Sequence, residues 1–182
     1  MIRFFDIVGS LLGLILLFPI MMLVLFLSFL DSGSPIFVQV RVGKNKKPFN
    51  MIKFRTMNKN TPSMASHLSH RSSITKLGAY LRKTKIDETP QLINVLKGDM
   101  SLVGPRPNLF NQAVLMTERE VQGVYDVLPG ITGLAQLKDI DMSTPKLLAE
   151  VDKEMLNNMS IRKYFGYIIL TMCGKGAGDA VL

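Results

Sequence analysis

From Ile7 to Leu30 the chain carries no charged residue, a run of about 24, where about 20 helical residues suffice to cross the hydrocarbon core of a bilayer. The run exceeds the roughly 7–15 apolar residues of a cleavable signal, and no small-residue cleavage site precedes Asp31, so the segment is expected to persist in the mature chain. Pro19 falls in mid-run, where it removes one backbone donor and presses its ring on the carbonyl of Ile15. A kink follows. Two arrangements satisfy it: a bent spanning helix, and a helical hairpin that enters one leaflet and returns.

Beyond the apolar run the periodicity changes. Pro35 to Val42 and Phe49 to Thr56 are β-prone and separated by a basic turn at residues 43–48, which predicts a hairpin. In its second strand Ile52 and Phe54 alternate with Lys53 and Arg55, so one face is apolar and the two cations point together, as a solvated face or an anion-binding one. Residues Asn58 to Ser73 are polar and aperiodic and predict a mobile loop; His67 and His70 lie there without nearby Cys or carboxylates, which argues against a metal site. Ile74, Leu77 and Leu81 then recur at helical spacing, with Lys76, Arg82, Lys83 and Lys85 on the other side, a basic amphipathic helix suited to lipid headgroups or to packing on the core.

In Asp87-Glu88-Thr89-Pro90, Thr89 is expected to cap a helix and Pro90 to occupy its first turn, ahead of Leu92, Ile93, Val95 and Leu96. Gly104-Pro105-Arg106-Pro107 and Leu128-Pro129-Gly130-Ile131-Thr132-Gly133 predict stiff loops of the kind that bind ligands. Ser143-Thr144-Pro145 opens a helix reaching about Asn158, with Leu148, Val151 and Met155 inward. Ser160 opens a last helix with Tyr164, Phe165, Ile168, Ile169 and Met172 on one stripe, read as core or membrane contact. The Gly174–Asp179 tail reads as its stop, because it lacks complete phosphate-loop spacing.

Composition sharpens this picture. Lys+Arg 22 against Asp+Glu 14 gives a net charge of +8, beside 47% hydrophobic residues, a pairing that suits an anionic membrane surface or a phosphate-rich substrate. Zinc spacing, aromatic ribonucleoprotein motifs and a long basic helix are all missing from the sequence, which argues against nucleic acid. The single cysteine, Cys173, excludes an internal disulfide framework and is expected to be a buried thiol on the reducing side. Arg41, Lys44, Lys46, Lys47, Lys53 and Arg55 crowd after the apolar run, so the positive-inside bias puts the body in the cytoplasm. At 182 residues a short anchor plus one globular unit is expected, residues 1–31 and 32–182 respectively.

Adjacent carboxylates at a helix start are commonly capping and dipole partners. Three features favour chemistry at Asp87 and Glu88. Lys53, Arg55, Arg82 and Arg106 supply enough cations to bind a diphosphate if the fold gathers them. A helix N-terminus is itself an anion site, where Mg²⁺ could offset the repulsion between carboxylate and phosphate. Arg106 is fixed between two prolines, favouring a preset guanidinium fork. A carboxylate attacks phosphorus when cations neutralise the electrophile, which makes Asp87 or Glu88 the natural nucleophile.

Four strings occur in order: Lys53-Phe54-Arg55-Thr56-Met57; Asp87-Glu88-Thr89-Pro90-Gln91-Leu92-Ile93-Asn94-Val95-Leu96-Lys97-Gly98-Asp99-Met100-Ser101; Val103-Gly104-Pro105-Arg106-Pro107; and Pro129-Gly130-Ile131-Thr132-Gly133-Leu134-Ala135-Gln136. On these strings the chain resembles the monotopic phosphoglycosyl transferases, or bacterial sugar transferase family, from Asp6 to about Ser160. The resemblance implies a helix-rich α+β fold with a re-entrant membrane helix hairpin broken at Pro19, a small β-hairpin and amphipathic helices at the membrane surface. It implies a bacterial inner-membrane enzyme, its catalytic domain on the cytoplasmic face, that moves a sugar phosphate from a UDP-sugar to polyprenyl phosphate, with undecaprenyl phosphate as the expected carrier, in a ping-pong reaction with Mg²⁺. UMP is released, and the lipid-linked product starts glycan assembly. In that reading Asp87 is nucleophile and metal contact, Glu88 its acidic partner, and Lys53, Arg82 and Arg106 are phosphate contacts.

Two departures stand out. The family's helix-breaking Ser-Pro is Phe18-Pro19 here, and the Asn-Gly-Arg-like segment after Gln136, with its acidic partner in the last helix, reads Leu137-Lys138-Asp139-Ile140-Asp141 and Arg162-Lys163-Tyr164-Phe165. No sugar identity is therefore transferred. Competing expectations are a non-catalytic basic membrane scaffold for glycan-assembly proteins and a membrane phosphodiesterase or phosphatase; a homodimer is compatible with either the enzyme or the scaffold.

Overall fold

The computed structural model describes residues 2–59, 61 and 73–176. The expected loop at 58–73 falls largely outside them, as do His67, His70 and the tail from Ala177.

Helix α1 runs from Ile2 to Ser32 with Pro19 inside it. The anticipated break is thus not a break between two elements: the helical pattern continues on both sides of the proline, which deletes one donor and leaves the flanking turns bonded. Its buried positions, Asp6, Ser10, Val24 and Ser28, form one stripe, while Phe4, Leu11, Ile15, Leu16, Phe18, Leu23, Phe26 and Leu30 are exposed. One face of α1 therefore meets the body along almost its whole length.

Small residues permit that approach. A Cβ on Gly9 would stand 2.9 Å from Leu102 Cδ1, and one on Gly13 3.0 Å from Leu92 Cδ1. Polar contacts lock the first turns. Arg3 donates to the carbonyls of Val95 and Leu96, and Asp6 Oδ1 accepts from Ser101 Oγ at 2.8 Å, Leu102 N at 2.8 Å and the Tyr164 hydroxyl at 2.7 Å. At the other end Met21 and Val24 join Phe54, Leu81 and Ile86 in a buried cluster.

Strands β1 (Ile36–Val42) and β2 (Pro48–Phe54) form the expected antiparallel hairpin, Ile36 facing Phe54. Both faces of β2 are covered, however: Met51 and Lys53 are as buried as Phe54, because α1 and α3 (Gln91–Lys97) pack on it. Helix α2 (Lys76–Thr84) is capped by Thr75, whose side chain accepts from Gly78 N. Gly78 is required here, since a Cβ would lie 2.0 Å from the Thr56 carbonyl oxygen. Arg82 belongs to the buried side of α2, not to its exposed cationic side as the periodicity predicted.

The two proline-glycine loops do something the sequence did not disclose. Strands β3 (Ser101–Val103) and β4 (Gly130–Thr132) pair in parallel, and Gly104 and Gly130 interlock so closely that a Cβ on Gly130 would stand 2.0 Å from Gly104 N. Helix α4 (Ala113–Val121), also unanticipated, and the short α5 (Leu134–Leu137) contribute to a second core with α6 (Pro145–Asn157) through Leu115, Ala135, Leu148 and Val151. Leu148, Val151 and Met155 face inward as expected.

Helix α7 (Ile161–Met172) starts at Ser160, which accepts from Lys163 N, and stops at Gly174 with φ +83°. Of its apolar stripe only Tyr164 is buried; Phe165, Ile169 and Met172 are exposed. Cys173 is exposed as well, correcting the expectation of a buried thiol, because it caps α7 at the surface.

Candidate functional site

The carboxylate pair owes its position to one residue in the left-handed region. Lys85 has φ +57° and ψ +15°, which ends α2 and turns the chain into a 3-10 segment, Ile86–Glu88, continuing into α3. Thr89 is already helical and its hydroxyl donates to the Ile86 carbonyl, so it is not the cap expected of it. The amides of Glu88, Thr89, Leu92 and Ile93 all bond within this stretch. The pair therefore does not stand on an open helix N-terminus, and charge neutralisation falls to side chains.

Asp87 is 2% exposed in that turn. Beside it, Glu88 Oε1 accepts from Arg106 Nη2 at 2.8 Å in a half-buried ion pair. The turn packs against β2, the strand that carries Lys53, and against α2, which carries Arg82. Lys53 is buried, its ammonium 5.8 Å from the Phe37 ring centroid. Arg82 is buried too: Nε donates to Thr56 Oγ1 at 2.8 Å, and Nη1 makes no hydrogen bond among the described residues. A buried guanidinium N–H without an acceptor is costly and suits an anion brought by a ligand.

Arg55 stands apart. Its Nε donates to the Ser34 carbonyl at 2.8 Å and Nη2 to that of Ile36, so its fork ties the end of β2 to the chain leaving α1. Four of the expected cations thus divide: Lys53 and Arg82 line the seam beside the Asp87 turn, Arg106 reaches Glu88, and Arg55 is spent on the backbone.

Sequence reasoning missed the residues that aim Arg106. All three carbonyls of Pro105-Arg106-Pro107 are held: by Gly130 N at 2.9 Å, by Arg119 Nη1 at 2.8 Å and by Arg41 Nη1 at 3.0 Å respectively. Arg119 is 1% exposed, donates twice to Asp152 Oδ2 and once to Asn108 Oδ1, which also accepts from the Tyr125 hydroxyl. Burial pushes the Asp152 carboxyl up from its ordinary pKa, against the pull of Arg119. One sequence signal pointed there: Asp152 shares the inward stripe of α6 with Leu148 and Met155, where a charge needs a partner.

Lys85 is the other overlooked group. Burial lowers its pKa, Glu88 raises it, Arg106 lowers it and Asp139 raises it, and its ammonium donates to the Lys175 carbonyl at 2.7 Å.

Among the described residues no three His, Cys, Asp or Glu side chains gather into a protein-only metal cage. Magnesium does not require one: it is typically held by one or two carboxylates, with substrate phosphates and water completing six positions. Adjacent carboxylates at Asp87 and Glu88, flanked by cations on three elements, fit that donor pattern. A buried carboxylate, Asp87, thus lies in a turn packed against the elements that carry Lys53 and Arg82, one residue from the Glu88–Arg106 pair.

A family model described as bacterial sugar transferase matches residues 1–175. Among curated relatives, the chain is 40% identical to the uncharacterized sugar transferase EpsL of Bacillus subtilis, over 87% of this chain and 78% of that protein. It is 37% identical to the exopolysaccharide production protein PSS of Rhizobium leguminosarum, with 96% of each covered. With the UDP-glucose:undecaprenyl-phosphate glucose-1-phosphate transferase of Caulobacter vibrioides it shares 35% identity over 82% of this chain and 61% of that protein. The chain thus spans nearly all of one relative and less than two thirds of another.

Proposed function

We propose, from the premise that this chain belongs to the bacterial sugar transferase family, that it moves a sugar phosphate from a UDP-sugar to polyprenyl phosphate through a covalent intermediate on Asp87. The observation that carries this reading is a buried aspartate next to the Glu88–Arg106 ion pair, in a turn packed on the helix that carries a buried guanidinium, Arg82, whose Nη1 lacks an acceptor among the described residues. The name of the Caulobacter relative, which pairs a nucleotide sugar with undecaprenyl phosphate, supports the same class of donor and acceptor.

The donor diphosphate binds along the seam of β2, α2 and the Ile86–Glu88 turn, with Lys53 and Arg82 on its oxygens. Arg106, neutralised by Glu88 in the resting site, shares its fork with the incoming phosphate. A carboxylate oxygen of Asp87 attacks the sugar-bearing phosphorus; the bond to the UMP oxygen breaks, and the electron pair leaves on UMP. The acceptor's phosphate oxygen then attacks the same phosphorus, the bond to Asp87 breaks, and the carboxylate is restored. Burial raises the reactivity of Asp87 by stripping water from its oxygens, while the fixed cations disperse charge on the phosphoryl oxygens. Bound Mg²⁺, held by Asp87 and Glu88, would supply further charge neutralisation of the diphosphate.

Residues 1–31 serve in this reading as the membrane anchor and 32–182 as the catalytic body, on the cytoplasmic face of the inner membrane. The contact of α1 with the body at both Asp6 and Val24 favours an anchor whose two ends lie on one side, bent at Pro19, over a straight span.

Purified protein with a panel of UDP-sugars, Mg²⁺ and undecaprenyl phosphate is expected to release UMP. Asp87→Asn should lower that rate by at least about 10³-fold, the scale of losing a covalent nucleophile. Full activity in Asp87→Asn removes it as nucleophile. Salt-sensitive liposome binding with no UMP from any donor would mark a non-catalytic scaffold, and free sugar phosphate without acceptor a phosphodiesterase.

A further inference from the structure

Between α1 and α7 lies a groove of about 760 Å³, within the size range of sites that enclose small ligands. One wall is the α1 face from Phe5 through Gly9 and Gly13 to Leu17, about 18 Å of helix at about 1.5 Å per residue. The opposite wall is Phe165, Ile168 and Met172 of α7, over a floor that includes Leu102. Gly9 and Gly13 bring that wall close to Leu102 and Leu92, and Phe5 meets Phe165 edge to face with ring centroids 5.1 Å apart, so the groove is a narrow apolar trough.

Its composition changes at one end. There Lys83, Lys85 and Glu88 form the mouth, placing it directly beside the Asp87 turn. Glu88 is already paired with Arg106, so the mouth presents Lys83 and Lys85 as its cations, the Lys85 ammonium resting on the Lys175 carbonyl. The other side of α1 exposes Leu12, Leu16 and Phe26, so a chain in the groove stays continuous with the apolar phase that covers this helix.

We infer that this groove seats the isoprenoid tail of the acceptor, with its terminal phosphate at Lys83 and Lys85 facing the Asp87 turn. A single long apolar chain ending in one phosphate matches a single narrow trough with a cationic mouth; a two-chain phospholipid fills it with only one of its tails. The identity of the occupant rests on the transferase reading, whereas the groove and its polarity do not.

The chain contains no tryptophan, so Phe165→Trp and Met172→Trp each put one fluorophore in the groove, and Phe26→Trp puts one on the exposed face of α1. Each variant of the full chain is placed in phosphatidylcholine nanodiscs and titrated with a polyprenyl phosphate bearing a nitroxide on its tail. Quenching at positions 165 and 172 is expected to saturate and to be reversed by unlabelled undecaprenyl phosphate but not by phosphatidylglycerol, while quenching at 26 rises linearly and is not reversed. Linear quenching at all three overturns the proposal, and so does equal displacement by phosphatidylglycerol, which would make the groove a general phospholipid seat. Ile168→Trp, which narrows the trough, is expected to raise the KM for undecaprenyl phosphate about tenfold, more than that for the UDP-sugar; equal changes in both argue against it. Saturable, reversible quenching in a protein that releases no UMP would overturn the transferase reading and leave the groove standing.

Discussion

Tyr164 donates to a carboxylate oxygen of Asp6 at 2.7 Å, joining the last helix to the first across 158 positions of sequence. Burial raises the tyrosine pKa well above its ordinary value, and the hydrogen bond and charge of Asp6 raise it further. A group whose folded pKa is raised stabilises the fold fully below its unfolded pKa, about 10 for tyrosine, and that contribution is lost as pH climbs toward the folded value. Tyr125 and Tyr167 are shifted the same way by burial. Thermal unfolding of nanodisc-embedded protein is therefore expected to show Tm falling above about pH 10. Tyr164→Phe should lose about 1–3 kcal/mol at pH 8, the worth of a buried hydrogen bond to a charged group, and decline less steeply above pH 10. Parallel curves for the two proteins would refute this account of Tyr164. The residue itself was legible as an inward position of a helical stripe; its partner, so distant in sequence, was not.

The seam between α4 and α6 is closed by Arg119 and Asp152, and the same Arg119 holds the Arg106 carbonyl. Stability and positioning can be separated here. Asp152→Asn leaves a guanidinium buried without its counter-charge and should cost about 3–5 kcal/mol in chemical denaturation. Replacing both partners, Arg119→Met with Asp152→Leu, should return most of that stability, since buried ion pairs are often worth little more than apolar isosteres. The double variant is still expected to lose about tenfold in kcat/KM for UMP release, because the donor that fixes the Arg106 loop is gone. Recovery of activity along with stability would show that the pair acts only on folding. Element by element, the β-hairpin, α2, α6 and α7 followed from periodicity and capping residues. The β3–β4 pairing did not: three-residue strands carry almost no pattern, and parallel pairing joins segments 29 positions apart from Ser101 to Gly130.

At the scale of the molecule, α1 decides how the enzyme sits in the bilayer. Its exposed face is apolar from Phe4 to Leu30, yet Arg3, Asp6, Met21 and Val24 all reach the same body. An anchor with both ends on one side is testable by labelling. In a Cys173→Ser background, which removes the single exposed cysteine, Ile2→Cys and Asp31→Cys should both react with an impermeant maleimide in inverted vesicles and neither in intact spheroplasts. Opposite accessibility would mean a true span.

What the sequence determined by itself was whatever depends on local order: an apolar run too long for a signal, a hairpin with basic residues, helices whose inward stripes recur every three or four positions, and the strings carrying Asp87, Glu88 and Arg106. Tertiary structure alone decided which side each charge took. Arg82 turned inward, Arg55 was claimed by the Ser34 and Ile36 carbonyls, and Arg119 and Asp152 met beneath the Pro105-Arg106-Pro107 loop. The reason is physical: hydrophobic period reports only which face of an element is buried, whereas the partner of a buried charge is set by whichever distant segment brings the opposite charge or an open carbonyl within hydrogen-bonding reach.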